Sequence, residues 1–309
     1  ERNRIEGHAG TVWQVEFTPD GDALASVSAD GTLAVWGLNG EQLAELEGNG
    51  GPLSDMDFAA SGDRIAAVGT DGGVYLWNKV GNGWQQWDRV QQWKAHTQPT
   101  RAVQFSLDGR FVATASADAS VKLWGMDGKL VRTFDAGQSG LQDLAITPDG
   151  QTLIAGDEQG SLYVWSVQTG QLLRSRQIHA SAIAALDMNA EGNVVASAGY
   201  DGWVRLSTVA EGNTILEIQA HDGPVHNIRF TADNTGIVTV GSDKAVRLWD
   251  LDGNLKATLV GHTGHVSGIA INPVGDLLAT SGGDRAVRLW AVDRERLEIL
   301  QGHTGSVNA

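Results

Sequence analysis

The chain contains no cysteine, which excludes disulfides and thiolate metal sites and leaves packing to hold the fold. No stretch approaches the roughly eighteen apolar residues of a membrane helix, and no basic, apolar, small-residue leader opens the chain, so a soluble, cytoplasmic protein is expected. Positive charge is in deficit: the formal net charge is −15 and Lys and Arg form no cluster, which argues against nucleic-acid or anionic-membrane partners. Catalytic signatures are missing too, with no G-x-S-x-G elbow, H-E-x-x-H pair or Walker loop. Aromatic residues make up only 6%, yet 11 of them are Trp, and Gly reaches 40. That mixture points to many short strands joined by tight turns.

The chain repeats itself. His8 marks a position whose counterparts are Asn49, His96, Gly137, His179, His221, His262 and His303, spaced 41, 47, 41, 42, 42, 41 and 41 residues apart. Twenty-two residues after each lies Asp30, Asp71, Asp118, Gln159, Asp201, Asp243 or Asp284. Six further on lies Trp36, Trp77, Trp124, Trp165, Ser207, Trp249 or Trp290. The 28-residue span from first to third marker is constant in all seven copies, so all length variation falls after the Trp position. Within a copy the apolar and β-branched runs read as four strands, for instance VWQVEF, ALASVS, LAVW and QLAEL, with Pro-Asp-Gly and Asp-Gly turns between them.

These residues resemble the WD40-repeat β-propeller family, in which repeats of this length carry Gly-His near one end and Trp-Asp near the other. Gly7-His8, Gly261-His262 and Gly302-His303 match the first signature, and Trp249-Asp250 is the literal form of the second. The resemblance implies an all-β, seven-bladed propeller with four antiparallel strands per blade. Its repeats fall at about 8–48, 49–95, 96–136, 137–178, 179–220, 221–261 and 262–302. The arrays also resemble those attached to bacterial kinases and NTPases, which implies a piece of a longer signalling polypeptide.

The resemblance further implies a structural tetrad of His, strand hydroxyl, Asp and Trp. Four copies have every member: His8, Ser26, Asp30 and Trp36; His96, Thr114, Asp118 and Trp124; His221, Thr239, Asp243 and Trp249; His262, Thr280, Asp284 and Trp290. The fifth copy has Ser207 for the Trp, the fourth has lost its His and Asp together, and the second keeps Asp71 with Asn49 expected as its donor. Asn3–Glu6 is expected as the outer strand that shuts the ring, in competition with Arg296–Leu300, and 303–309 as the start of a further repeat.

With most His and Trp so explained, function is expected on the face carrying the His and Asp turns. The family's partner-binding positions lie three and five residues after the His and just before the Asp. They give Trp13, Arg101, Gln142, Glu158, Tyr200, His226 and His265 as candidates, among which Trp, Tyr and Arg are the types that carry most binding energy at protein interfaces. Trp13 has an equally good reading as packing against a neighbouring blade. His226 and His265, in adjacent copies, could approach each other, but with no third ligand in view neither a metal nor a cofactor is expected. Trp84, Trp87 and Trp93 lie in the longer second copy and form either a second patch or the covering of a longer strand pair. The expected function is a non-catalytic scaffold for other proteins or peptides. A ligand or metal in the central channel, and a propeller enzyme, are the alternatives.

Overall fold

A computed structural model describes residues 2–292 of the chain. These residues form 28 strands and no helix, so none of them forms a helix long and apolar enough to cross a membrane. The strands make seven four-stranded antiparallel sheets. In blade 1 Val12–Phe17 is innermost, followed outward by Ala23–Ser28, Thr32–Gly37 and Gln42–Glu47. The other blades repeat this order, with innermost strands Leu53–Phe58, Thr100–Phe105, Leu141–Ile146, Ile183–Met188, Val225–Phe230 and Val266–Ile271.

Local chemistry sets the turns. After the first innermost strand, Asp20 accepts hydrogen bonds from the Thr18 hydroxyl and the Asp22 N–H, and Gly21 takes a positive φ of 78° that costs glycine little. The same hydroxyl-to-Asp pair recurs at Ser106 and Asp108, Thr147 and Asp149, and Thr231 and Asp233.

Each sheet buries both faces against its neighbours, so the protein has seven apolar cores, one at every junction between blades. The junction of blades 7 and 1 is as complete as the rest, uniting Ala279 and Leu289 with Val12, Leu24 and Trp36. Asn3–Glu6 closes the ring as the outer strand of blade 7, pairing Asn3 with Leu289 and Glu6 with Ala286. Ile5 from this strand is 3% exposed, a burial that contributes roughly 1.5–3 kcal/mol. The competing strand Arg296–Leu300, Gly302-His303 and the segment 303–309 lie outside the described residues.

One irregularity repeats in every blade. The register between innermost and second strand shifts after the first paired residue, at Val12/Gln14, Leu53/Asp55, Thr100/Ala102, Leu141/Asp143, Ile183/Ala185, Val225/Asn227 and Val266/Gly268. The skipped residues are therefore Trp13, Ser54, Arg101, Gln142, Ala184, His226 and Ser267. A bulge leaves its extra residue unpaired and re-aims the side chain. Seven bulges thus set seven side chains around the channel mouth.

Candidate functional site

The side chains that look most reactive are tied into the fold. In blade 1 Trp36 Nε1 donates to Ser26 Oγ at 2.7 Å, His8 Nε2 lies 2.7 Å from that oxygen, and His8 Nδ1 lies 3.2 Å from Asp30. Trp can only donate and the carboxylate only accept, so the chain runs one way: Trp to hydroxyl, hydroxyl to a neutral imidazole, imidazole to Asp. Blade 3 repeats it with 3.0 Å from Trp124 to Thr114, 2.8 Å from Thr114 to His96 and 3.0 Å from His96 to Asp118. Trp249, Thr239, His221 and Asp243 stand alike at 3.0, 2.9 and 2.8 Å, and Trp290, Thr280, His262 and Asp284 at 2.9, 2.8 and 3.0 Å. Burial holds His8, His96, His179 and His221 below the ordinary imidazole range, as a neutral acceptor requires. Burial pulls Asp30 the other way, but the Thr32 hydroxyl and amide and the His8 dipole outweigh it and hold the carboxyl at about 2.

Blades 2 and 4 solve the same problem differently. Asn49 is not the donor to Asp71; the Tyr75 hydroxyl and the Gly73 N–H are. The amide of Asn49 is too short to replace an imidazole, whereas Tyr75, four residues after the Asp, fills the vacated volume with a ring 2% exposed. In blade 4 the carboxylate itself has moved two residues back. Asp157, 1% exposed, accepts the Gln159 and Ser161 N–H groups and the Tyr163 hydroxyl, and Tyr163 stacks on Trp165 at 5.5 Å. Tyr at the position four after the Asp marker is the sequence signal that would have revealed both repairs.

At the mouth four of the seven candidates come together. Tyr200 meets His226 edge-on at 5.5 Å between ring centroids, His226 lies 5.5 Å from His265, and His265 lies 6.3 Å from Trp13. The four rings form one arc across blades 5, 6, 7 and 1, spanning the junction where the ring closes. Trp13 is 41% and Tyr200 44% exposed, while the two histidines are half-buried. Trp13 thus touches the neighbouring blade 7 through His265 while keeping much of its ring exposed. His226 Nε2 is bonded to Ser242 Oγ at 2.8 Å, and burial with the neighbouring His265 and His221 pushes its pKa down to about 4. His265 lies against Gly283, where a Cβ would come within 2.6 Å of Cε1, so a side chain there would displace the ring. Arg101, Gln142 and Glu158 stand on the other half of the mouth, where Gln142 Nε2 donates to Glu158 at 2.8 Å. Among the described residues no three His, Cys, Asp or Glu side chains are placed to hold a metal ion.

Below the mouth the third and fifth residues of the innermost strands face the channel, and they are unexpectedly acidic: Asp55, Asp57, Asp143, Asp187 and Glu16, beside Arg229. They surround a cavity of about 380 Å³. Each aspartate reaches across to the next blade, where the edge of the innermost strand has no ladder partner. Asp55 accepts the Val103 N–H at 2.9 Å, Asp57 that of Phe105 at 2.6 Å, Asp143 that of Leu186 at 2.7 Å and Asp187 that of Phe230 at 2.6 Å. Burial is the main reason these carboxyls bind protons more tightly than usual, Asp55 up to about 8, Asp57 to about 7 and Asp143 to about 6, with mutual repulsion adding to it at Asp55. Glu16 and Asp187 are raised for the same first reason. Polar residues at alternate positions of otherwise apolar strands were the available signal for this wall.

A family model described as the IFT122 first beta-propeller matches residues 84–309, and the WD domain, G-beta repeat model matches 1–37 and 40–78. The chain belongs to the WD-repeat β-propeller family. Its similarity to curated WD-repeat proteins is partial. It is 30% identical over 94 residues to the Target of rapamycin complex subunit wat1 of Schizosaccharomyces pombe, covering 29% of this chain and 30% of that one. It is 31% identical over 91 residues to Autophagy-related protein 16 of Arabidopsis thaliana, covering 29% and 18%. It is 25% identical over 167 residues to human Apoptotic protease-activating factor 1, covering 54% and 13%. The matched regions thus span less than a third of the length of each of these relatives.

The extra length of the second WD repeat does not form an exposed patch. Its third and outer strands, Gly73–Lys79 and Trp87–Lys94, are longer than the usual six residues, and the added rings cover them. Trp84 and Trp87 are 8% and 9% exposed, packed on each other and on Phe58 in the core between blades 1 and 2. Trp93 is half-buried against Trp124 of blade 3 at 5.9 Å. Three large rings find apolar neighbours here, so the reading of a second docking site is set aside.

Proposed function

We propose that this WD-repeat propeller is a non-catalytic scaffold that takes a protein partner on the channel mouth, at the arc of Tyr200, His226, His265 and Trp13. The observation that carries the reading is the contiguity of the four rings. Exposed aromatics held by a rigid frame supply large contact area at low entropic cost, which is what interface anchors need. The channel carboxylates support the non-catalytic part, because four of them are already engaged as acceptors for N–H groups of the neighbouring blade. One relative is named as a subunit of a complex, which fits an assembly role.

The test is capture by the immobilised propeller, with the bound proteins identified by mass spectrometry and the experiment repeated with Trp13→Ala. Each anchor should carry about 2 kcal/mol or more, so loss of Trp13 should weaken a genuine partner by about thirtyfold. Partners held equally by both forms would overturn the placement.

A further inference from the structure

Resting on the reading of the arc as the partner site, we propose that its occupant is a proline-rich segment in the extended polyproline conformation, flanked by Lys or Arg. The first argument is hydrogen-bond complementarity. Trp13 Nε1 and the Tyr200 hydroxyl have no hydrogen-bond partner among the described residues, so the ends of the arc offer unused donors between ring faces. A polyproline helix is the complementary chain: its prolines bring carbonyl acceptors and no N–H that would need an acceptor in return. On the innermost strands of blades 3, 5 and 6 the N–H groups of Val103, Phe105, Leu186 and Phe230 are occupied by Asp side chains, so those groups are closed to an added β-strand.

The second argument is spacing. Successive rings lie 5.5, 5.5 and 6.3 Å apart, close to the roughly 6.2 Å covered by two residues of polyproline helix. The ring planes turn by 80°, 56° and 34° along the arc, and the rings touch one another, so a pyrrolidine ring would lie over their solvent-facing sides and not between them. About six residues would span it.

Charge supplies the flanks. The protein carries a net −15, and His226, at the middle of the arc, stays neutral at physiological pH. A Lys or Arg beside the prolines gains from the overall field and from the negative ring faces, and an acidic flank loses.

The experiment measures fluorescence polarisation of a labelled ten-residue peptide, eight prolines between two lysines, against a Gly/Ser peptide with the same lysines. The proline peptide should bind about tenfold tighter or better, and Trp13→Ala and Tyr200→Ala should each remove about that factor. Lys129→Ala, an exposed site on the turn between the third and outer strands at the opposite face, should change nothing. Replacing the lysines with glutamates should weaken binding severalfold. Equal binding of the two peptides, no binding of either, or indifference to both arc variants overturns the proposal. If captured proteins still depend on Trp13 while the proline peptide does not bind, the scaffold reading stands and this inference falls.

Discussion

The channel mouth and the channel wall are built on the same seven innermost strands, yet their side chains have opposite obligations. On the wall Asp55, Asp57, Asp143 and Asp187 each hold an N–H of the next blade, so their removal would open the ring from inside. At the mouth the bulge lifts Trp13 out of the ladder, and neither its indole nor the Tyr200 phenol carries a bond that the fold needs. Side chains with structural work are poor candidates for binding even when their chemistry looks suggestive. Side chains without it, held rigidly and exposed, are good ones.

Three substitutions sharpen this contrast. The largest effect on stability is expected from Asp118→Ala, which leaves the His96 Nδ1–H and the Thr97 and Ser120 N–H groups without their acceptor. About 2–3 kcal/mol should be lost, and a calorimetric Tm should fall by roughly 5–10 °C with partner capture kept. Tyr163→Phe removes one donor from the buried Asp157 while the ring stays in place, so about 1–2 kcal/mol is expected from denaturant midpoints. A wild-type midpoint would show that the two backbone N–H groups suffice for that carboxylate.

The smallest effect is a pH dependence. Asp55, Asp57 and Asp143 have folded-state pKa values above their ordinary range, so their contribution is complete in acid and is lost as pH rises through about 6 to 8. The tetrad works in the other direction: the depressed pKa of Asp30 gives stability that is lost as pH falls below the ordinary carboxylate range toward about 2. The neutral histidines add a loss as pH falls below about 6.5. Tm should therefore decline from pH 6 to pH 9. Asp55→Asn, which keeps an oxygen for the Val103 N–H but carries no charge, should raise Tm by a few degrees at pH 8.5 and flatten that decline. An unchanged alkaline limb would show that the wall carries no such strain.

The constant 28-residue register was legible because His, hydroxyl, Asp and Trp must meet across three strands, and any insertion would separate them. The proximity of His226 and His265 was legible for a related reason, since the positions five and three residues after the marker His, taken from adjacent blades, face the same mouth. The role of Tyr75 and Tyr163 was not. Repairs to a broken tetrad come from outside its four positions, whereas those positions alone point to Asn49. The acidic wall was also missed, because an aspartate on a strand carries no local motif; its reason is an unpaired N–H on a neighbouring blade more than 40 residues away. Trp84 and Trp87 were ambiguous because sequence cannot say which side of a strand pair meets another blade.

The claim that the arc, and not the whole mouth, is the partner site is tested most directly by one side-by-side capture measurement. Trp13→Ala/Tyr200→Ala is compared with Arg101→Ala/Gln142→Ala, each checked for wild-type Tm. The arc variant should lose the captured partner by about a thousandfold while the polar-half variant keeps it within a fewfold. A partner retained by the first, or lost equally by the second, would contradict the account.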